Sequence, residues 1–556
     1  MKPMRLLVIG GVAGGLSFAT RASRLSEAAQ ITVLERGPDI SFANCGLPYH
    51  IGNEIPNRAS LLLQTPENLK EMFRLDVRVH CNALQIDREK KQVLAVDLVS
   101  SKQEWIPYDK LMLAPGAKPA MPDIPGVRDP AVFTLRNLQD MDRIIAFARP
   151  GMRAIVVGGG YVGLELLEQL HRRGLEMTLV HLHSHVLHHF DSQVIQPLQD
   201  ELHANGIKTY FNDHFTALKR EGDGLICRLA TGEMLEADMV VFSIGVLPES
   251  DLAREAGLVL SEAGHIVVNE FMQTSDADIY AAGDVVQTRE RHFGQPVAMA
   301  LAGPANRQGR VAADHIFLQS LARPYPGSIG TSVVRFFDMV AAGTGWTEQA
   351  LIERKCSYST VTVHEHQHAG YYPGAEMITL KLLWEPKTGA LLGAQAIGKD
   401  GVDKRIDVLA TAIIARMTID DLCHLELAYA PPFGTARDII NIAGFVATNM
   451  RDGLVKLIHA IPDDPGVQIL DVRSKRLADR NPVEGAIHIP YPDLRKNLDR
   501  LDKDKPVIVV CQLGRTSYFA ARVLSQNGFH AVSLTGGLRG LGSAKKEGPY
   551  RPCSGC

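Results

Sequence analysis

Along the 556-residue chain, short continuous apolar runs repeatedly give way to glycine-rich breaks and then to a helical period. Leu6-Leu7-Val8-Ile9 leads into Gly10-Gly11-Val12-Ala13-Gly14-Gly15 and a helix, and Ile31-Thr32-Val33-Leu34 follows as a second strand that ends in Glu35. Ile155-Val156-Val157 starts the same pattern again, through Gly158-Gly159-Gly160-Tyr161-Val162-Gly163-Leu164-Glu165 to the strand Met177-Thr178-Leu179-Val180 and His181. Apolar runs of this length, bounded by glycine and followed by helical periodicity, predict strand–turn–helix–strand units. Between the copies, Leu111-Met112-Leu113-Ala114-Pro115-Gly116-Ala117 reads as a short strand and turn. Residues 326–448 alternate strands and helices with no glycine fingerprint. A polar stretch, 449–453, precedes a last unit. In that unit Val467–Val472 is a strand ending in charges, and Pro506–Val510 is a buried strand running into Cys511-Gln512-Leu513-Gly514-Arg515-Thr516-Ser517. A helix over Tyr518–Gln526 and the closing Leu534-Thr535-Gly536-Gly537 follow. The class is α/β.

Glycines at this spacing let backbone approach a pyrophosphate seated on a helix N-terminus, and an acid some 20 residues on takes a ribose hydroxyl. The first copy places Gly10, Val12 and Gly15 at the three fingerprint positions, with a valine in the middle, and Glu35 at the acid. The second is complete, with Gly158, Gly160 and Gly163, but His181 stands where the acid belongs. Two such units imply two dinucleotides, of which the usual pairing is a bound flavin and a diffusing nicotinamide. Without a carboxylate at His181, NADH and NADPH both remain open.

Length implies about three to four domains. A net charge of −3 gives no general attraction to nucleic acid or to a membrane surface, and no apolar run reaches a membrane span. The N-terminus runs straight into a strand with no signal-peptide pattern, which points to the cytoplasm. Eight cysteines are scattered without a framework, so in a reducing compartment they read as free thiols.

Two of them carry chemistry. Cys45 lies in Ser41-Phe42-Ala43-Asn44-Cys45-Gly46-Leu47-Pro48-Tyr49, alone. A lone thiol beside a flavin closes no internal disulfide, so its oxidising partner comes from outside as a thiol, a persulfide sulfur or a peroxide oxygen. Cys511 opens a loop of backbone N–H groups ahead of a helix, a nest that stabilises an anionic persulfide. The histidines at 181, 183, 185, 188 and 189 lack a cysteine or carboxylate to complete a tetrahedral set and read as a solvated loop, with no metal. Cys553-Ser554-Gly555-Cys556 has disulfide-forming spacing and reads as an end with two exposed thiols, a sulfur relay being the alternative.

Thr274-Ser275-Asp276-Ala277-Asp278-Ile279-Tyr280-Ala281-Ala282-Gly283-Asp284 resembles the second flavin-binding motif of the flavin disulfide reductases. With the Cys45 motif, the run Leu301–Arg310, the run Gly401–Asp407 and Ala428-Tyr429-Ala430-Pro431-Pro432-Phe433, residues 1–448 resemble the coenzyme A-disulfide reductases. The last unit resembles a rhodanese. The whole chain is similar to fused coenzyme A-disulfide reductase/rhodanese proteins, also described as NADH-dependent persulfide reductases.

The resemblance implies an FAD-binding domain at 1–115 and 266–325, an NAD(P)H-binding domain at 116–265, an α+β dimerisation domain at 326–448, a linker at 449–460 and a rhodanese domain at 461–556. It implies a cytoplasmic homodimer that uses FAD and NADH or NADPH and takes coenzyme A as substrate or bound ligand. No nucleic acid or membrane partner is implied.

Cys45 is the implied nucleophile and Cys511 the sulfur carrier. Tyr429 and one of Tyr371 and Tyr372, with Tyr371 preferred, are implied to reach the site from the partner subunit. Cofactor contacts fall on Gly10, Val12, Ala13, Gly14, Gly15, Glu35, Arg36, Ala114, Pro115, Gly116, Gly283, Asp284 and Ala302 for the flavin. For the nicotinamide they fall on Gly158, Gly160, Tyr161, Gly163, Glu165, His181 and Gly245. Substrate contacts are Ser17, Arg21, Arg24, Ser41, Phe42, Asn44, Asn306, Arg310, Arg437 and, in the rhodanese loop, Arg515. In the rhodanese loop the family arginine falls on Thr516, and Arg515 stands one place earlier. An NADH oxidase or peroxidase that cycles Cys45 through a sulfenic acid is the alternative, as is a redox or sulfur sensor. Related peroxidases carry a histidine in the first glycine turn; Ala13 occupies that position here and argues against a peroxidase.

Overall fold

The computed structural model of the protein describes residues 3–541; Cys553 and Cys556 lie outside them. The chain forms two compact units, one of residues up to 184 with 207–329, the other of residues 185–206 with those from 330 on. Among the described residues no helix is long and apolar enough to cross a membrane.

In the first unit the two glycine-rich repeats fold to one plan. Arg5–Ile9 is the centre of five parallel strands. Gln30–Leu34 and Asp76–Arg78 lie to one side of it, and Lys110–Leu113 and Ile279–Ala281 to the other. Arg153–Val157 is likewise central, between Glu176–His181 with Lys208–Phe211 and Met239–Phe242 with Val132–Phe133. The apolar runs do not alternate with polar residues because both sheet faces are covered. Leu6 and Val8 pack with Phe18 and Ala19 of the helix Ala13–Leu25 and with Ala312 and Ala313 of the helix Ala302–Leu318. Leu7 and Ile9 face Ile86, Val93 and Ile106 of an antiparallel sheet, Cys81–Asp87, Gln92–Asp97 and Gln103–Pro107. A second antiparallel sheet, Phe215–Glu221, Gly224–Leu229 and Met234–Ala237, covers Ile155 and Val157 in the same way.

The second unit holds two further sheets. Residues 326–448 build one antiparallel sheet in the order Ser332–Phe336, Met339–Gly345, Leu391–Gly398, Met377–Trp384, Ser359–His366, with Val402–Ile414 and Ile439–Arg451 as its longest helices. The other sheet is parallel, in the order Lys456–Ile458, Ala531–Leu534, Val507–Val510, Gln468–Asp471, Ile487–His488.

Two segments differ from the sequence reading. Residues 449–460, read as a linker, instead continue the helix Ile439–Arg451 and supply the edge strand Lys456–Ile458 of the parallel sheet. Asn449 is fixed there, its side-chain amide donating to the Tyr518 hydroxyl at 3.2 Å.

Residues 185–206, read as part of the nicotinamide-binding domain, pack with the antiparallel sheet of the second unit. Asp191 is the reason. Its N–H donates to Gln395 Oε1 at 2.8 Å, Gln395 Nε2 donates back to its carboxylate at 2.8 Å, and Lys381 Nζ lies 3.0 Å away. Lys381 is fully buried and also pairs with Glu348, which accepts a hydrogen bond from the Tyr358 hydroxyl at 2.9 Å. A buried ammonium needs such partners, because its desolvation costs several kcal/mol unless they offset it. The three residues come from segments distant in sequence, so no local pattern announces them.

Candidate active site

The turn after the first central strand is built for close approach. Gly10 is left-handed (φ +98°), and a Cβ there would lie 2.0 Å from the carbonyl oxygen of Ala114. A Cβ on Gly15 would lie 1.9 Å from the Gly10 carbonyl. These spacings press the helix Ala13–Leu25 against the strand ends and aim its N-terminus outward from them. Glu35, at the end of the second strand, accepts the Gly11 N–H at 2.9 Å through one oxygen and the Gly37 N–H at 2.8 Å through the other. Val12 has φ −111°, so the middle position does not take the left-handed backbone that would call for glycine. The helices Ala13–Leu25 and Ala302–Leu318 meet backbone to backbone at Gly309, where a Cβ would come 2.2 Å from the Gly14 carbonyl.

At the far end of this cleft Gly283 donates its N–H to Gln308 Oε1 at 2.8 Å, which fixes the backbone that carries Asp284. The Asp284 carboxylate is not alone. Arg136 Nη2 stands 3.4 Å from it, and also 2.7 Å from where a Cβ on Gly116 would sit. Arg136 carries no motif and was not read from sequence. Arg36 pairs with Glu249 at 2.9 Å, which holds its guanidinium beside Glu35. Glycines that a Cβ would clash out, an outward helix N-terminus and an anchored acid together fit an adenine dinucleotide on this cleft.

Cys45 sits in a single helical turn, Asn44–Gly46, directly ahead of the helix Leu47–Ile51. Ser41, left-handed at φ +53°, donates its N–H to the Gly11 carbonyl at 2.9 Å and ties the cysteine segment to the glycine turn. From the other side the Tyr49 hydroxyl donates to Glu165 at 3.0 Å, and Arg173 donates to the Ile51 carbonyl at 3.0 Å. The cysteine helix is thereby clamped between the two nucleotide folds. The Cys45 side chain is open to solvent and is a free thiol. The protein crowded around it pushes the thiol above its ordinary range, and the Glu165 and Asp284 carboxylates push it further. Two other free thiols are inert: Cys81 and Cys227 are buried, and burial pushes Cys227 up to about 12.

The substrate candidates on the first helix meet those on Ala302–Leu318. The Ser17 hydroxyl donates to Asn306 Oδ1 at 2.6 Å. Arg21 pairs with Asp314 at 2.6 Å, and Arg310 approaches the same carboxylate at 3.7 Å. Arg24 is exposed, its guanidinium 5.8 Å from the Phe73 ring centre. Asp314 draws Arg21 and Arg310 together into one cationic strip with Arg24 nearby.

The second nucleotide fold reproduces the first. Gly158 is left-handed (φ +108°), and its Cβ would lie 2.2 Å from the Ser243 carbonyl; that of Gly163 would lie 1.9 Å from the Gly158 carbonyl. A Cβ on Gly160 would meet nothing within 4 Å, so no protein packing demands glycine there, whereas Gly245, equally open, is left-handed at φ +113°. His181 occupies the Glu35 position in three dimensions as well as in sequence. The Gly159 N–H donates to its Nδ1 at 3.1 Å, as Gly11 donates to Glu35. Nδ1 is therefore the bare nitrogen. His181 and His183 lie edge to face at 5.3 Å. Among the described residues no group of three His, Cys, Asp or Glu side chains is arranged to hold a metal ion.

In the second unit two loops bring Tyr371 and Tyr429 together, hydroxyl to hydroxyl at 3.3 Å. Tyr371 is the member of its pair that meets Tyr429; Tyr372 turns its ring onto His368 at 5.4 Å. Tyr371 is 78% exposed and Phe433 69%, and Arg437 is exposed beside the same loop. Beneath them lies Arg405, 2% exposed and missed as a site residue although it belongs to the run Gly401–Asp407. It donates to Asp438 at 2.7 Å and to the Gln367 carbonyl at 2.6 Å. Gln367 closes the base of the Tyr371 loop, and Asp438 caps the helix Ile439–Arg451 that follows Tyr429.

Cys511 ends the strand Val507–Val510 and is 3% exposed. Gly514, left-handed at φ +84°, donates its N–H to Cys511 Sγ at 3.2 Å and starts the helix Arg515–Gln526. The Ser517 hydroxyl lies 3.3 Å from the sulfur and accepts from Ser533 at 3.0 Å. Neither serine was singled out from sequence. Both are buried, and together they bring a hydroxyl to the sulfur where the family places its arginine one residue earlier, at Thr516. Arg515 is exposed, its guanidinium 5.9 Å from the Phe519 ring centre.

Residues 4–309 match the pyridine nucleotide-disulphide oxidoreductase family, 331–438 its dimerisation domain and 454–544 the rhodanese-like domain. The chain is 34% identical over 445 residues to the coenzyme A disulfide reductase of Staphylococcus epidermidis, covering 80% of this chain and 99% of that one. It superposes on the reduced CoADR-RHD of Bacillus anthracis with a TM-score of 0.94 at 41% identity, over 97% of this chain and 98% of that one. A NAD-dependent persulfide reductase from A. fulgidus gives 0.91 at 36% identity, over 97% and 100%.

Proposed function

The chain belongs to the pyridine nucleotide-disulphide oxidoreductase family, and from that membership we propose that it reduces coenzyme A persulfide or coenzyme A disulfide with NAD(P)H through FAD and Cys45, its rhodanese domain carrying sulfane sulfur on Cys511. The observation that carries this reading is the pairing, in one chain, of an open free thiol on the nucleotide folds with a second thiol that accepts the Gly514 N–H and donates to the Ser517 hydroxyl. A disulfide reductase alone has no use for a sulfur carrier.

Bound FAD supplies the two-electron relay between nicotinamide and sulfur. Gly10, Gly15, Glu35 and Asp284 hold it; Gly158, Gly160, Gly163 and His181 hold the nicotinamide dinucleotide. Arg21, Arg24 and Arg310 meet the phosphates of coenzyme A, and Ser17, Ser41, Phe42, Asn44, Asn306 and Arg437 line its path. The Cys45 thiolate attacks the sulfur–sulfur bond, and Tyr371 and Tyr429, contributed by the partner of a homodimer, donate to the leaving thiolate. For each persulfide, one NAD(P)H and one proton yield the free thiol, sulfide and oxidised nicotinamide. The enzyme works in the cytoplasm, where thiols stay reduced.

Anaerobic turnover with NADH as sole donor, measured in parallel on coenzyme A persulfide, coenzyme A disulfide and hydrogen peroxide, tests the reading. Fast sulfide release from the persulfide is expected. Turnover of the disulfide alone would make the rhodanese domain a separate activity, and turnover of peroxide alone would overturn the proposal.

The nicotinamide preference has its own test at His181. A carboxylate on the Gly159 N–H, as Glu35 is on Gly11, would accept a ribose 2′-hydroxyl and repel a 2′-phosphate. His181→Glu is expected to raise the ratio of kcat/KM for NADH over NADPH by about tenfold, roughly 1.4 kcal/mol. An unchanged ratio would remove His181 from coenzyme selection.

A further inference from the structure

The strand Ser359–His366 is the edge of the antiparallel sheet, yet it carries a buried polar stripe. Thr360, Thr362 and His364, at alternate positions, are all buried. An edge strand buried against another domain must find partners for its free backbone and polar groups. Each member of the stripe finds one in the parallel-sheet domain or at its entry. Thr360 Oγ1 meets His459 Nε2 at 3.4 Å. The Thr362 N–H donates to the Thr535 hydroxyl at 3.0 Å. His364 Nε2 donates to the Gly536 carbonyl at 2.9 Å, while its Nδ1 meets the hydroxyl of Thr379, its cross-strand neighbour, at 2.9 Å.

Gly536 and Gly537 form a left-handed turn, φ +65° and +58°, that lies directly on the Cys511 loop. A Cβ on Gly537 would come 2.5 Å from the Cys511 carbonyl oxygen and 2.5 Å from Gly514 N. Just past the turn the Leu538 N–H donates to the Cys511 carbonyl at 2.8 Å and the Arg539 N–H to the Gln512 carbonyl at 3.0 Å. These bonds hold the loop carbonyls outward and leave the Gly514 N–H aimed at the sulfur, 3.2 Å away. An unbroken chain of contacts thus runs from His364 to the Cys511 thiol.

We propose that His364 is a positioning residue for sulfur transfer: the dimerisation domain, through the His364–Gly536 hydrogen bond, sets the shape of the Cys511 loop and so the reactivity of its thiol. The inference rests on the reading of Cys511 as the sulfur carrier. Burial holds the imidazole neutral, with its pKa pushed down to about 4, so the donor on Nε2 and the acceptor on Nδ1 both persist at neutral pH. Arg539 is the charged group facing it and acts in the same direction.

Two measurements on the full-length flavoprotein test the proposal. The first is sulfite release from thiosulfate, in which the Cys511 thiolate takes the outer sulfur, sulfite leaves, and an acceptor thiol then removes the sulfur from Cys511. The second is the alkylation rate of Cys511 by iodoacetamide, resolved by peptide mass spectrometry. His364→Leu is expected to slow both at least tenfold. His364→Gln, which keeps a donor for the Gly536 carbonyl, is expected to stay within about threefold of the parent. Thr535→Val, which removes the neighbouring tie from the other domain, is expected to slow both severalfold. Parent rates in His364→Leu, or a loss in His364→Gln as deep as in His364→Leu, would overturn the proposal. A parent protein that releases no sulfite refutes Cys511 as a carrier for this donor, while the alkylation series still decides whether His364 shapes the loop.

Discussion

Cys45→Ser is expected to lower NADH-dependent sulfide release from coenzyme A persulfide by at least 10³-fold, about 4 kcal/mol of transition-state stabilisation. The reason is chemical. The step requires a nucleophile that forms a bond to sulfur and is then released by two electrons, and a serine hydroxyl does neither. Of the other free thiols that the structure describes, Cys81 and Cys227 are buried in the cores of the nucleotide folds, Cys356 and Cys423 belong to the second unit, and Cys511 serves the rhodanese loop. The variant keeps its yellow colour, because Cys45 takes no part in the glycine turn or the Glu35 and Asp284 anchors. It also keeps sulfite release from thiosulfate, which depends on Cys511. A Cys45→Ser protein that retains a tenth of the parent rate would show that persulfide is reduced without Cys45, and the proposed route would fall.

The same residue shows what its surroundings must overcome. The protein around Cys45 and the carboxylates of Glu165 and Asp284 all disfavour the thiolate. Arg136 lies on the Asp284 carboxylate at 3.4 Å, and Tyr49 donates to Glu165 at 3.0 Å; both draw negative charge away from the sulfur.

The nucleotide folds and both thiols were legible in the sequence because their physics is local. A backbone that approaches within 2.2 Å of where a Cβ would sit admits only glycine, so Gly10, Gly15, Gly158 and Gly163 mark the turns by themselves. Cys45 and Cys511 each follow or precede a helix within a few residues, and that too is local. The illegible parts join residues far apart in the chain. Arg136 reaches Asp284 across 148 positions, and His364 reaches Gly536 across 172. No period of 2 or 3.6 encodes such a meeting. The segment 185–206 left its expected domain for a related reason, since Asp191 answers to Gln395 and Lys381 rather than to its neighbours in sequence. The stretch 449–453 misled in the opposite way. Its polarity suggested a linker, but Asn449 and Arg451 are the last polar residues of a helix whose other face is buried.

Arg405→Met is the other change expected to have a large effect, and it separates charge from packing. Arg405 and Asp438 are almost fully buried, at 2% and 5% side-chain exposure, and removing one partner leaves an uncompensated charge that typically costs about 3–5 kcal/mol. The loss should appear in the unfolding transition that involves the second unit. Asp438→Asn in the same chain removes the stranded charge while an amide oxygen still caps the helix Ile439–Arg451, so the double variant is expected to be more stable than Arg405→Met alone. Activity follows a different rule. Arg405 also holds the Gln367 carbonyl, at the base of the loop that carries Tyr371. Neutralising Asp438 does not restore that bond. The double variant should therefore regain stability without regaining turnover, with kcat for persulfide reduction still lowered about tenfold by loss of the Tyr371–Tyr429 apposition. Equal stability of the single and double variants would show that the buried charge was not the cost. Recovery of kcat together with stability would show that the tyrosine loop needs only a folded domain, not the guanidinium beneath it.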